Sequence, residues 1–196
     1  RFGGLVKFFI IGGYAFGNPG DEAILKSTVY YIHEHFPKSF FYIWNENKEF
    51  TVRFDRPIRH QMVFWKLPQW MYRNNFVSRV IVKLYTDFFP FSKAVAMALH
   101  GLPLKLVHAL RDSDKVIFLG GGYLNSHYSL LKMNYLASLV HAHNKPLLLF
   151  GQTLGPFEKP SHDRIASEIF DIAKVIVIRD PHSEHSHKLF NLQDEL

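Results

Sequence analysis

The stretch VKFFIIGGYAFGNPGDEAIL, Val6 to Leu25, decides how this chain is read. An unbroken apolar run, Val6–Ile11, gives way to four glycines and one proline between positions 12 and 20. Acidic and aliphatic residues follow at once. A run that is apolar on both faces marks a strand buried inside a parallel sheet. From Asp21 to Phe36 the residues Ala23, Ile24, Tyr31 and Ile32 recur at helical spacing and the pattern stops at Pro37, so a helix is predicted there. A tight turn needs one or two glycines. The others suggest a backbone that something approaches closely, since glycine has no Cβ and accepts positive φ.

The same grammar continues along the chain. Ser39–Trp44, Val116–Leu119, Pro146–Phe150 and Val175–Ile178 read as further strands. Tyr128–His143, Ser161–Ala173 and Ser183–Phe190 read as helices. Residues 45–61 are polar and give no pattern; residues 62–110 are rich in aromatic and basic residues and read as two or three helices. Apolar strands alternating with helices predict an α/β fold, a Rossmann-like parallel sheet flanked by helices, with residues 1–196 forming one domain.

Composition narrows the function classes. Hydrophobic residues make up 47% of 196 and aromatics 16%, enough for a sizeable core. There is no cysteine, which excludes disulfides, thiolate metal sites and cysteine nucleophiles and fits a reducing, cytoplasmic setting. No apolar run reaches the roughly 18 residues of a membrane span. The formal charge of +6 is local: residues 53–83 hold seven basic residues against Asp55, and the rest of the chain is balanced. With Trp65, Trp70 and several Phe interleaved, that segment is suited to peripheral contact with an anionic membrane. Its bland alternative is a core-facing stripe with solvated Lys and Arg. No nucleic-acid motif accompanies the charge, so a nucleic-acid partner is not expected.

In parallel α/β sheets, ligands bind outside the carboxyl ends of the strands. Four unusual segments are predicted at such ends: Gly12–Glu22, Gly120–Ser129, Gly151–Pro160 and Arg179–His187. The first is neither a P-loop, because Asn18-Pro19 stand where Lys and Ser/Thr belong, nor a GxGxxG turn. Asp21 is either a helix-capping acid or a catalytic one. Gly120, Gly121 and Gly122 either allow close helix–strand packing or admit a ligand. Gln152 is a turn residue or a contact. Arg179, beside Asp180, either forms an ion pair or clamps a carboxylate or phosphate. His182, His185 and His187 lack a carboxylate pattern, and no metal is expected.

Together these motifs resemble the polysaccharide pyruvyl transferases. The resemblance rests on Gly13-Tyr14-Ala15-Phe16-Gly17-Asn18-Pro19-Gly20-Asp21-Glu22-Ala23-Ile24-Leu25, on Gly120–Leu124, on Gly151–Pro156 and on Arg179–Ser183. It spans nearly the whole chain apart from about 45–110. It implies transfer of the enolpyruvyl unit of phosphoenolpyruvate to a sugar of a cell-surface polysaccharide or its lipid-linked precursor, with no cofactor. It implies the first of two Rossmann-like domains of GT-B type. The second, which carries an Arg-x-His segment in the family, falls outside this sequence, so activity of this chain alone is in question. Carried over residue by residue, Gly13, Tyr14, Gly17, Asn18, Gly121, Gly122, Tyr123, Gln152 and Arg179 would contact substrates. Asp21 and Arg179 would serve the chemistry. Two other functions share the sequence features: a GT-B glycosyltransferase using a nucleotide sugar, and a non-catalytic protein that binds a saccharide or a partner.

Overall fold

The computed structural model describes residues 4–12, 18–48, 51–66, 80 and 104–180. Its centre is a seven-stranded sheet, all of whose recorded pairings are parallel. The strands are β1 (Val6–Ile11), β2 (Ser39–Asn45), β3 (His60–Phe64), β4 (Lys115–Phe118), β5 (Gly121–Leu124), β6 (Leu147–Leu154) and β7 (Ala173–Ile178). Four helices are described: α1 (Pro19–His35), α2 (Leu104–Asp112), α3 (Leu130–Ala142) and α4 (Pro160–Ile172).

Strand β4 pairs with Leu147–Leu149 of β6, and β5 pairs with β6 further along, from Gln152 to Leu154. Strand β7 occupies the other edge of β6. So β4 and β5 are two pieces of one interrupted strand, and the order across the sheet is β3, β2, β1, β4/β5, β6, β7. Counting β4/β5 once, this is the 3-2-1-4-5-6 order of a Rossmann-like sheet. The order reverses between β1 and β4, so the crevice expected to bind ligand lies at the carboxyl ends of those two strands.

Alternation divides the core between the two faces. Phe8, Ile10, Phe41 and Ile43 pack on one side against Leu25, Val29 and Ile32 of α1. Phe9, Ile11, Tyr42 and Val116 pack on the other against α2, α3 and α4. Each such buried side chain contributes about 1.5–3 kcal/mol relative to exposure. Helix α1 starts at Pro19, two residues ahead of the predicted Asp21. Asn18 Oδ1 accepts from Gly20 N at 3.0 Å, Pro19 fits the first turn, and Asp21 and Glu22 complement the dipole. Its buried stripe is Leu25, Val29 and Ile32, whereas Ala23 and Tyr31 are exposed, so the expected periodicity was one position out of phase in part.

Three expectations are corrected. His60–Phe64 is an edge strand lying in the stretch without pattern and the start of the segment read as helical; His60 and Gln61 break its apolar run. Gly121–Leu124 is a strand rather than a turn. Strand β6 does not stop at Phe150 but runs on through Gly151 to Leu154. Of the helices predicted over 62–110, α2 is described; the others, and the helix predicted at Ser183–Phe190, fall on residues outside the description.

Candidate functional site

The break between β4 and β5 organises the carboxyl edge of the sheet. At Gly120 the chain crosses so close to β6 that an added Cβ would stand 2.5 Å from the Gly151 carbonyl oxygen and 2.8 Å from that of Phe150. Gly151 itself has φ +69°. The ladder is interrupted there, and Gln152 mends it. Its Nε2 donates to the carbonyls of Phe118 (3.1 Å) and Leu119 (2.7 Å) and approaches the Tyr123 hydroxyl at 3.3 Å. Gln152 is fully buried, and its Oε1 has no hydrogen-bond partner among the described residues.

Tyr123 carries the contact onward to β1. Its ring lies beside Gly12, where a Cβ would sit 3.7 Å from Cε2 and 3.2 Å from Met133 Cε; the φ of Gly12, +76°, already favours glycine. Burial of the Tyr123 hydroxyl pushes its ionisation up, against the opposing hydrogen bond from Gln152, and the Asp21 carboxylate adds to the upward shift. Tyr123 is therefore a neutral phenol at physiological pH. The residue as a whole is half-buried while the hydroxyl end is enclosed, so the proton-bearing atom faces the protein interior.

On the far side of β6, the Arg179 backbone N–H donates to the Gln152 carbonyl at 2.9 Å. Its guanidinium donates to Thr153 Oγ1 at 2.9 Å, and that hydroxyl donates to Asp180 at 2.7 Å. The Thr153 hydroxyl thus lies between the guanidinium and the carboxylate. Arg179 is exposed.

Three of the predicted positions, Tyr123, Gln152 and Arg179, are joined in one line along this edge, and Gly12, which opens the first segment without having been predicted as a contact, lies beside Tyr123; the Asp21 carboxylate acts on Tyr123. Asn18 caps α1 just behind β1. Gly121 abuts the Tyr123 ring, while Gly122 has open space where a side chain would stand. Gly13, Tyr14 and Gly17 lie outside the described residues, as do His182, His185 and His187. Among the described residues no group of three potential metal ligands occurs, and no helix is long and apolar enough to cross a membrane. Of the basic segment, Arg53, Arg56, Arg59 and Lys66 are described and exposed; Arg56 pairs with Glu34 at 3.0 Å.

Sequence reasoning missed one arrangement. Ser126 Oγ lies 2.8 Å from His162 Nδ1 and accepts from Glu158 N at 2.7 Å. The pair links the turn after β5 to the start of α4. Both residues lie near the ends of motifs that were read for their glycines; locating the true strand ends at Leu124 and Leu154 is what brings them forward.

The parallel sheet in this order, with helices packed on it, defines a Rossmann-like α/β domain. The polysaccharide pyruvyl transferase family profile matches residues 18–192, and the chain belongs to that family. It is similar to the amylovoran biosynthesis protein AmsJ of Erwinia amylovora, with 23% identity over 193 residues covering 89% of this chain. The chain spans 43% of the length of that relative.

Proposed function

We propose that this chain forms the first domain of a GT-B-type pyruvyl transferase that takes phosphoenolpyruvate as donor and a cell-surface saccharide or its lipid-linked precursor as acceptor. The observation that carries the reading is the continuous line from Gly12 through Tyr123 and Gln152 to Arg179 along the switch-point edge. Arg179 binds the donor's carboxylate or phosphate with the guanidinium nitrogens that Thr153 leaves unused. Asp21 and Asn18, with Gly13, Tyr14 and Gly17 of the same segment, are assigned to the acceptor; Gly121 makes way for the Tyr123 ring, and Gly122 gives a substrate room to approach the backbone. Tyr123, its hydroxyl enclosed, offers the substrate only the exposed part of its ring. Gln152, being buried, acts by holding Tyr123 in place.

The chemistry suits such an edge. The donor methylene gains a proton and becomes a methyl group. One acceptor hydroxyl oxygen bonds to the adjacent carbon, a second displaces phosphate, and the product is a pyruvate ketal plus inorganic phosphate. Of the two hydroxyl protons released, one replaces the proton consumed at the methylene and the other leaves with phosphate. Positive charge develops at the ketal carbon, where the Asp21 carboxylate stabilises it and takes up a hydroxyl proton.

Thermal-shift titration tests the donor site. Phosphoenolpyruvate is expected to raise the melting temperature of the wild-type chain, and Arg179→Ala to weaken its binding about tenfold or more, as for loss of a charge-assisted pair. Equal binding by both proteins, or a response to nucleotide sugars instead, refutes the assignment. The exposed Arg53, Arg56, Arg59 and Lys66 support docking on the inner, anionic leaflet of a membrane, from the cytoplasmic side. Flotation with anionic liposomes but not with neutral ones is the expected result; equal recovery in the two removes electrostatic docking.

A further inference from the structure

Because β5 ends at Leu124 and β6 at Leu154, the loops at the true carboxyl rim are 125–129 and 155–159. They are stitched together. Gly155 N donates to Leu124 O at 2.8 Å and Ser126 N to Pro156 O at 3.0 Å. Asn125 fixes the first loop from within, accepting from His127 N at 2.8 Å while its Nδ2 donates to Gly122 O. On this braced turn Tyr128 is 60% exposed. Ser126 and His162 are half-buried, and His127 is exposed.

We propose that the turn Asn125–Ser129, with Ser126 hydrogen-bonded to His162 and Tyr128 held out to solvent, is a saccharide subsite at the carboxyl rim of the sheet. A sugar ring stacks its C–H face on Tyr128, and one of its hydroxyls bonds to the Ser126–His162 pair. The inference rests on the transferase reading only for naming the saccharide as the acceptor.

The hydrogen-bond inventory favours a hydroxyl ligand. The Glu158 N–H is an obligate donor and takes one lone pair of Ser126 Oγ. If His162 Nδ1–H donates to the other lone pair, the Ser126 O–H and His162 Nε2 remain as a donor and an acceptor. If Ser126 donates to Nδ1 instead, Nε2–H remains as a donor. A sugar hydroxyl both donates and accepts, so it satisfies either tautomer. The aromatic ring supplies large contact area at little conformational cost, because the turn that presents it is already fixed by hydrogen bonds.

The test uses the 1–196 chain and methyl glycosides of glucose, galactose and mannose as probes, read by saturation-transfer and side-chain NMR. At least one glycoside is expected to shift the Tyr128 and His162 resonances. Tyr128→Ala should weaken that glycoside about tenfold, Tyr128→Phe should keep it, and His162→Gln should weaken it less. Since Tyr128 is exposed, its replacement leaves the fold intact, and unchanged amide spectra elsewhere verify this. Phosphoenolpyruvate binding should be the same in all these variants. Glycoside binding that is unchanged in both Tyr128→Ala and His162→Gln, or no binding by any of the three probes, overturns the proposal. Loss of phosphoenolpyruvate binding from the wild type with glycoside binding retained would instead sink the transferase reading and leave this subsite standing.

Discussion

At the amino end of the sheet, polar side chains are used to close the fold. Asp112 at the end of α2 accepts from Lys7 Nζ at 2.7 Å and from the Tyr42 hydroxyl, while Asp114 accepts from Lys7 N. Lys145 donates to the carbonyls of Arg111 and Ser113, the acceptors that a helix end leaves over. At the carboxyl end, glycines stand where side chains would fill space, and a strand is broken. Two buried amides there leave an atom without a partner among the described residues, Asn45 Nδ2 at the end of β2 and Gln152 Oε1 in β6. Burying such an atom costs about 1–3 kcal/mol. The Lys7 ammonium beside Asp112, with the Tyr42 hydroxyl, holds that carboxyl below the usual carboxylate range, and burial with this hydrogen bond pushes Tyr42 up to about 12. One edge spends its polar groups on cohesion, while the other leaves buried amide atoms unpaired beside its glycines and is the edge to which the proposal assigns a ligand.

The largest expected effect breaks this division at Gly120. It lies on the ligand edge, yet its neighbours are backbone oxygens rather than open space. Gly120→Ala is expected to cost about 3 kcal/mol in urea unfolding, because backbone on both sides must shift to admit one methyl group. Gly122→Ala, two residues on with nothing near its Cβ position, should leave stability almost unchanged. If the two variants unfold alike, the close approach of β4/β5 to β6 is wrong. The pair also sharpens the comparison, since it separates a glycine needed by the sheet from one free to serve a ligand.

Much of the fold was legible because its strands are apolar on both faces and its helices open with Asn18 and Pro19 or with Pro160. Parallel burial leaves that signature whatever the distant partners are. The edge strand His60–Phe64 left no such trace, since His60 and Gln61 break its apolar run, whereas Val175–Ile178 is apolar throughout and was legible although no residue of β7 is buried. The interrupted strand was illegible for a different reason. Three consecutive glycines mean a turn by local propensity, and only the carbonyls of Phe150 and Gly151, thirty residues away in sequence, make Gly120 a strand crossing. At the candidate site, Asp21, Gln152 and Arg179 were singled out by their places after predicted strands, and Tyr123 by the family resemblance. The burial of Gln152 and its donation to Phe118 and Leu119 depend on that same crossing. Ser126 and His162 are 36 residues apart in sequence, and no local pattern pairs a serine with one histidine among twelve.

The smallest expected effect tests the amino edge by pH. His143 caps α3 and is pushed down to about 4 by burial first, then by the Arg111 and Lys145 cations. Lys145 is also the residue that closes α2, so the group is held neutral by the same contacts that bind the two helices together. Its ordinary value is 6.5. Between about pH 6.5 and 4 the unfolded chain binds a proton at this site that the folded chain refuses. Stability from this group is therefore complete above pH 6.5 and declines as pH falls through that window. The imidazole keeps some contact with solvent, so the loss should be on the order of 1–2 kcal/mol rather than the full conversion of the shift. Urea unfolding of wild type and His143→Gln at pH 7 and pH 4.5 isolates it. The difference between the two proteins should shrink or reverse at the lower pH, since glutamine has no proton to gain. Parallel pH profiles would place the histidine in solvent and remove one polar group from the set that closes this end of the sheet, bringing the two edges closer in character.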